Sequence, residues 1–260
     1  MAINQLRKKW QEGKQTVGLW VTMDDPSIAE IAVTLGMDWI CVDMEHGHLD
    51  FKDVMGHIRA VRDSQTAVLV RVHDNEKGLI QRSLDMGAHG VLLPLVRSRA
   101  DVEKAFRYGR YPLEGQRGIG GERNVKWGLG MHEYLRHANE ETLIIPLIET
   151  REAAEAIDDI LSVPGLEAIF FGPADLSASY GYLGQWEGPG MAELIADIRS
   201  KAKARNIGSG IVAMSAEDAV ERQRQGFDMI ALGSDGGMMI RSILHSLKCM
   251  DRSVAPHYWF

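Results

Sequence analysis

Short apolar, β-branched runs alternate along the whole chain with longer segments whose apolar residues recur at helical spacing. That rhythm marks βα units arranged around a parallel sheet. Eight such pairs can be drawn, with strands expected over residues 17–21, 39–43, 68–72, 91–93, 144–148, 168–171, 210–212 and 229–232. A repeated joint supports one reused unit. At Gly36, Gly87, Gly165 and Gly226 a glycine closes a helix and a strand begins a few residues later. Glycine suits the left-handed conformation just past a helix end. An open doubly wound sheet uses the same joint, but eight units favour a closed (β/α)8 barrel, the TIM-barrel fold, with residues 1–260 as a single domain.

One connection breaks the rhythm. Residues 111–141 are too long for a simple turn and carry Gly115, Gly118, Gly120, Gly121, Gly128 and Gly130, as functional or disordered loops do. A short helix is expected near 131–137. Because the segment lies between a helix and the fifth strand, it starts on the amino-terminal face of the barrel and must fold back to reach a site on the other face.

Composition narrows the function more than the fold. The 260 residues are 45% apolar and 25% charged, which lets one core bury roughly three quarters of the extended surface. The net charge of -7, with basic residues scattered, leaves no footprint for nucleic acid. No apolar run is long enough to span a membrane, and none follows the basic Arg7, Lys8 and Lys9 as a secretory signal requires, so a cytoplasmic location is expected. Cys41 and Cys249 stand far apart and are expected to be reduced structural thiols.

Active sites of such barrels form where the strands end. Just past the second strand stand Asp43, Glu45 and His46; past the third, Arg71, His73 and Asp74; past the fifth, Glu149. The sixth is followed by Gly172-Pro173-Ala174-Asp175 and the eighth by Ser234 and Asp235. Singly, each has a structural explanation: Asp74 and Asp235 precede helical stretches and are expected as N-caps, while Glu45, His48 and His73 read as solvated polar residues. Together they converge on one face.

Glu149 and Asp175, at the ends of adjacent strands, can direct two carboxylates at one point, where they repel unless a cation lies between them. An all-oxygen pair suits a hard ion such as Mg2+ or Mn2+. The alternative is one carboxylate capping a helix and the other paired with an arginine. Pro173 occupies a first helical position that needs no N–H, and the amides beyond it form a small anion site. A 2-keto acid, with a carboxylate for the amides and a neighbouring oxygen for the cation, satisfies both demands. Arg71, ending an apolar strand, is a permanent charge able to stabilise an oxyanion. His46 carries an imidazole able to move a proton at the methyl carbon, with Asp43 either orienting it or pairing with Arg71. None of the ten lysines falls in an expected strand or at its carboxyl end, so the Schiff-base route to an aldol reaction lacks its nucleophile and the metal route remains.

In order along the chain, these residues resemble the HpcH/HpaI class II pyruvate aldolases, which include 4-hydroxy-2-oxoheptanedioate and 2-keto-3-deoxy sugar-acid aldolases. The resemblance covers 18–247 and is carried by Gly18-Leu19-Trp20, Asp43-Met44-Glu45-His46, Val70-Arg71, Tyr111-Pro112 with Gly115-x-Arg117-Gly118, Ile148-Glu149-Thr150 and Phe171-Gly172-Pro173-Ala174-Asp175-Leu176-Ser177. It implies Glu149 and Asp175 as ligands of a divalent cation (Mg2+, Mn2+ or Co2+), Arg71 against the keto oxygen, and His46 as acid and base. It also implies an aspartate, here Asp85, supplied by a neighbouring subunit, and a hexamer built as a trimer of dimers with a terminal helix exchanged between barrels. The expected reaction is reversible cleavage of a 4-hydroxy-2-keto acid to pyruvate and an aldehyde, with Gly172, Pro173, Ala174 and Asp175 binding pyruvate, and Val212 and the long loop lining the acceptor pocket. The rivals are an acyl-CoA lyase, an oxaloacetate decarboxylase and a non-catalytic keto-acid-binding barrel. Two departures stand out: Leu147 replaces a usual glutamine and removes a polar contact, and the tail 251–260 ends in aromatics expected to pack on a partner subunit.

Overall fold

A computed structural model describes residues 4–252. Eight parallel strands close in sequence order into a barrel: β1 (Thr16–Val21), β2 (Trp39–Asp43), β3 (Ala67–Arg71), β4 (Gly90–Leu93), β5 (Leu143–Ile148), β6 (Ala168–Phe171), β7 (Gly208–Val212) and β8 (Met229–Ser234). Every expected strand is present within two residues at either end. Helix α1 (Gln5–Gln11) precedes the barrel; α2 (Ser27–Thr34), α3 (Phe51–Ala60), α4 (Lys77–Asp85) and α5 (Arg99–Gly109) follow the first four strands, and α6 (Met131–Glu141) ends the long connection. Short α7 (Arg151–Glu155) and α8 (Ile157–Ile160) follow β5; α9 (Pro173–Ser179) and α10 (Met191–Ala204) follow β6; α11 (Ala216–Gln225) and α12 (Asp235–Cys249) complete the ring.

The strands are buried on both faces, hence their unbroken apolar sequence. One face meets the helices: Val42, Val70, Val91 and Ile148 pack with Ala32, Ile58, Leu84 and Val102. The other fills the interior, where Trp39, Leu69, Leu92, Phe170 and Met229 meet Leu6 of α1. Two glycines make room for the largest rings there. A Cβ at Gly18 would stand 2.1 Å from the Trp39 ring and one at Gly210 2.2 Å from Phe170. The two rings pack edge to face, with centroids 6.1 Å apart, and Trp20 leans on Phe170 at 5.5 Å. All four joint glycines take positive φ: 73° at Gly36, 105° at Gly87, 81° at Gly165 and 86° at Gly226.

The long connection stays at the amino-terminal end of its own barrel. Its helix, α6, is four residues longer than expected. Arg117 anchors the segment: the side chain is fully enclosed, Nη2 donates to Asp85 Oδ1 at 2.7 Å and to Tyr134 Oη at 3.1 Å, and the guanidinium lies 4.6 Å from the Tyr111 ring. Within one chain the anchor therefore holds the loop away from the cavity at the strand ends, none of whose lining residues belongs to 111–141. Among the described residues no helix is long and apolar enough to cross a membrane. The aromatic end of the tail, 253–260, lies outside the described residues.

Candidate active site

Asp43 and Arg71 are register partners at the carboxyl ends of β2 and β3. The 1%-exposed Asp43 carboxylate accepts from Arg71 Nε at 2.9 Å and Nη2 at 2.5 Å, and from Trp20 Nε1 at 3.2 Å. Its Oδ1 also accepts the backbone amides of Glu45, at 3.0 Å, and His46, at 3.3 Å. Asp43 therefore does both things weighed for it: it pairs with Arg71 and fixes the turn that carries His46. Glu45 is not merely solvated, because its Oε2 lies 2.9 Å from Arg71 Nη1. With Trp20 beneath it, 5.1 Å from ring centroid to Cζ, the guanidinium is locked between two carboxylates and an aromatic face. Each Nη carries a second N–H beyond these pairs, and Arg71 lines the cavity.

Glu149 directly follows β5 and is 2% exposed. Its Oε1 accepts the Leu95 amide at 2.6 Å, and the next residue, Thr150, donates to Val96 O at 2.7 Å, so the ends of β4 and β5 are tied together. Burial pushes the Glu149 carboxyl up to about 7; the Leu95 amide opposes this, and the nearby Glu45 and Asp175 carboxylates reinforce it. Arg71 spends its ion pairs on Asp43 and Glu45, leaving Glu149 and Asp175 without a basic partner among the described residues. Neither carboxylate takes the N-cap position of the helix beside it, which is Gly172 for α9 and Thr150 for α7. Gly172, between β6 and α9, leaves the space Glu149 fills: a Cβ there would meet Oε2 at 2.4 Å. Pro173 occupies the first turn of α9, where the Ala174 and Asp175 amides have no acceptor within the helix.

These groups line one cavity of about 310 Å3 that includes Asp43, His46, Arg71, Glu149, Gly172, Pro173, Ala174, Asp175 and Val212. The volume is at the small end for ligand sites, which suits a short keto acid. His46 is exposed at its mouth. Of the site residues read from the sequence, only Asp85 is elsewhere, on Arg117 at the far end of the barrel. His73 and Asp74 line a neighbouring cavity with Arg97. Neither expected aspartate cap is one: Glu76 takes the N-cap position of α4, while Ser234 caps α12. Asp235 instead accepts from the amides of Thr22 and Met23, at 3.0 Å each, joining α12 to the end of β1.

Sequence reasoning missed Trp20 and Phe170 as the cavity floor, Trp186 and Met214 in its wall, and Arg241 of α12. Trp20 was open to detection, since it belongs to the Gly18-Leu19-Trp20 motif; Arg241 sits in the second turn of a helix and carried no signal.

Two carboxylates with no cationic partner among the described residues, one of them pushed up to about 7 chiefly by burial and further by its acidic neighbours, fit a hard divalent cation. Among the described residues no three His, Cys, Asp or Glu side chains gather around a point, so such an ion would keep positions for water and substrate, as Mg2+ and its kin do.

Comparison with known proteins agrees with this geometry. Residues 16–242 match the family HpcH/HpaI aldolase/citrate lyase. A hydroxypyruvate/pyruvate aldolase of Pseudomonas aeruginosa is 32% identical, over 94% of this chain and 91% of that protein. A 2-keto-3-deoxy-L-rhamnonate aldolase of Salmonella gallinarum is also 32% identical, over 96% and 94% of the two chains. The crystal structure of an HpcH/HpaI aldolase/citrate lyase family protein from Burkholderia cenocepacia superposes with a TM-score of 0.89 at 30% identity, covering 95% of this chain and 99% of that one.

Proposed function

The chain belongs to the HpcH/HpaI aldolase/citrate lyase family and is a carbon–carbon lyase of the pyruvate-aldolase class, and from that premise we propose that it reversibly cleaves 4-hydroxy-2-keto acids to pyruvate and an aldehyde with a divalent cation held by Glu149 and Asp175. The observation that carries this reading is the pair of carboxylates, neither with a basic partner among the described residues, that share one small cavity with Arg71 and His46. When bound, Mg2+, Mn2+ or Co2+ supplies Lewis-acid polarisation of the substrate carbonyl.

The chain's own residues do the rest. The first-turn amides of α9, at Ala174 and Asp175, orient the pyruvoyl carboxylate, and the N-terminal end of the helix favours its charge. Arg71, held rigid by Asp43 and Glu45, donates its free N–H groups to the oxygen at which negative charge develops. In the cleavage direction the C3–C4 bond breaks, the 4-hydroxyl passes its proton to His46 as the aldehyde forms, and the electron pair of the broken bond becomes the enolate of pyruvate. His46 returns a proton to the methyl carbon; in the synthetic direction it removes that proton. Trp20, Phe170 and Leu147 exclude water from the floor, and Val212 faces the acceptor side.

The reading extends to assembly as a homohexamer, a trimer of dimers exchanging its terminal helix. In support, α12 exposes Met238, Met239, Ile240 and Ile243, an apolar face of the kind buried by association. The long connection exposes Leu113, Trp127 and Leu129. Asp85 working with His46 of a neighbouring subunit belongs to this same proposal, as does a cytoplasmic location with both cysteines free. Pyruvate release from a 4-hydroxy-2-keto acid, followed with and without EDTA, is the test. Activity should vanish in chelator and return with Mn2+, Mg2+ or Co2+; full turnover in EDTA would rule out the cation, and unchanged turnover in His46→Ala would remove the acid–base role.

A further inference from the structure

The amino-terminal end of the barrel holds a second and larger cavity, of about 800 Å3, between the end of α3, the turn before β4 and the long connection. Arg59 and Arg62 line it from the end of α3, and Arg123 and Lys126 from the connection. Asp63 is the one carboxylate in the lining among the described residues, so four positive charges face one negative in a chain whose net charge is -7. Of the four, only Arg62 is ion-paired among the described residues, with Asp63 at 3.5 Å, and both of those side chains are largely exposed. His89, whose pKa burial lowers, adds a neutral ring. Its Nδ1 accepts the Val68 amide at 3.1 Å, so the ring proton is on Nε2.

The dipole of α3 accounts for part of this, since cations suit the last turn of a helix. It does not account for Arg123, which arrives from the connection and is set among the others. Arg123 Nη1 donates to Met86 O at 2.9 Å, and a Cβ at Gly87 would stand 2.8 Å from the same nitrogen, so the glycine makes room for the guanidinium. Burial pushes Arg123 below the usual arginine range, and Arg59 and Arg62 push it further, as like charges gathered without an opposing one do. Guanidinium groups entering a cavity from two sides match phosphoryl oxygens in both charge and hydrogen-bond geometry. The surplus of three positive charges is met by two phosphoryl groups, at about -1.5 to -2 each. The volume, within the range of small-molecule sites, leaves space for the organic part of such a ligand.

We propose that this cleft binds a small organic molecule carrying two phosphoryl groups, which bridges the end of α3 to the long connection. The site lies at the opposite end of the barrel from Glu149 and Asp175 and is independent of the aldolase reading.

The test is calorimetric titration of the full chain in EDTA, which keeps phosphoryl groups from binding through a cation at the other end. The probes are ADP, with adjacent phosphoryl groups, fructose 1,6-bisphosphate, with separated ones, and inorganic phosphate. At least one of the first two should bind with a Kd below about 100 μM, phosphate at least about tenfold more weakly, and the tighter probe identifies the spacing. Arg59→Gln and Arg123→Gln should each weaken that probe by about tenfold or more, as expected for a lost hydrogen bond to a charged group. Asp63→Asn, which removes the opposing charge from an exposed position, should tighten it by about threefold, and added KCl should weaken it. Bound ligand should also raise the Tm. The Asp63 variant keeps the test decisive if Arg123→Gln fails to fold. No binding of either organic probe, or an affinity unmoved by both Arg59→Gln and Asp63→Asn, would overturn the proposal. Absence of binding together with dissociation of the oligomer in Arg59→Gln, read by sedimentation, would overturn it by making the cleft a contact between copies of the chain. Pyruvate release has no part in the readout, so failure of the aldolase reading would leave this result standing.

Discussion

Replacing Gly172 with alanine tests the cation site through a residue that contributes no side chain to it. The backbone at Gly172 has φ -106°, which any residue adopts, so the consequence is one of contact. The new Cβ would lie 2.4 Å from Glu149 Oε2 and 2.8 Å from Glu149 Cβ, where ordinary contact begins near 3.4 Å. The oxygen must therefore yield about 1.0 Å (3.4 − 2.4) and the Cβ about 0.6 Å (3.4 − 2.8). Glu149 has little freedom to do so, being 2% exposed and tethered to the Leu95 amide at 2.6 Å. Metal ligands tolerate displacements of only about 0.2 Å. Overpacking of this kind costs about 1–3 kcal/mol of stability, whereas displacing one of two protein ligands should weaken Mn2+ binding by about 100-fold or more, beyond the 10- to 100-fold seen when only a supporting group is lost. Mn2+ titration followed by calorimetry, with a thermal melt of the same sample, separates the two effects. Gly172→Ala that stays folded and binds Mn2+ within about threefold of wild type would refute both the spacing argument and Glu149 as a ligand.

The raised Glu149 carboxyl gives a pH signature. Its native value, about 7, exceeds the unfolded one near 4.5, so the folded cation-free protein holds this proton more tightly; stability is unaffected below pH 4.5 and falls as pH rises to about 7, by up to roughly 3 kcal/mol. Denaturant unfolding in EDTA should show that slope as a difference between wild type and Glu149→Gln, and Mn2+ affinity should drop about tenfold per pH unit below 7; parallel pH profiles for the two proteins would contradict the assignment. Asp43→Asn breaks a buried bidentate pair and strips charge from the acceptor of the His46 turn, and should cost about 3–5 kcal/mol in urea unfolding together with nearly all turnover. For Asp85, inactive Asp85→Asn and His46→Ala chains can be mixed and reassembled: if the aspartate acts across a subunit contact, about a quarter of sites regain both groups and activity returns in proportion. No recovery, with Asp85→Asn simply melting at lower temperature, would leave Asp85 as the partner of Arg117 alone.

Much of the fold was written locally. A strand buried on both faces must be apolar throughout, and a helix stopped by a left-handed residue wants glycine, so eight runs and four joints were visible without any contact being known. The rule that chemistry lies where strands end then selected Asp43, His46, Arg71, Glu149 and Asp175, because position along a strand is a property of sequence. The failures have the same origin. Asp74 and Asp235 precede helices as caps do, but which neighbouring residue accepts the orphan amide depends on the turn the backbone takes. The loop 111–141 was legible as long; its direction was not, because that is decided by Arg117 finding Asp85 at the end of α4.

Sequence alone determined the order of elements, the identity of the polar groups at the barrel rim and the lack of a strand-end lysine. Closure of the barrel decided how those groups act on one another. Only in three dimensions does Gly172 become the space into which Glu149 fits, Asp43 the clamp on Arg71, and Arg241 the donor that ties α12 to the carbonyls of Met214 and Leu232. Periodicity records burial one residue at a time, whereas repulsion, desolvation and steric fit depend on neighbours in space, and Asp43 and Arg71, for example, are 28 positions apart in the chain.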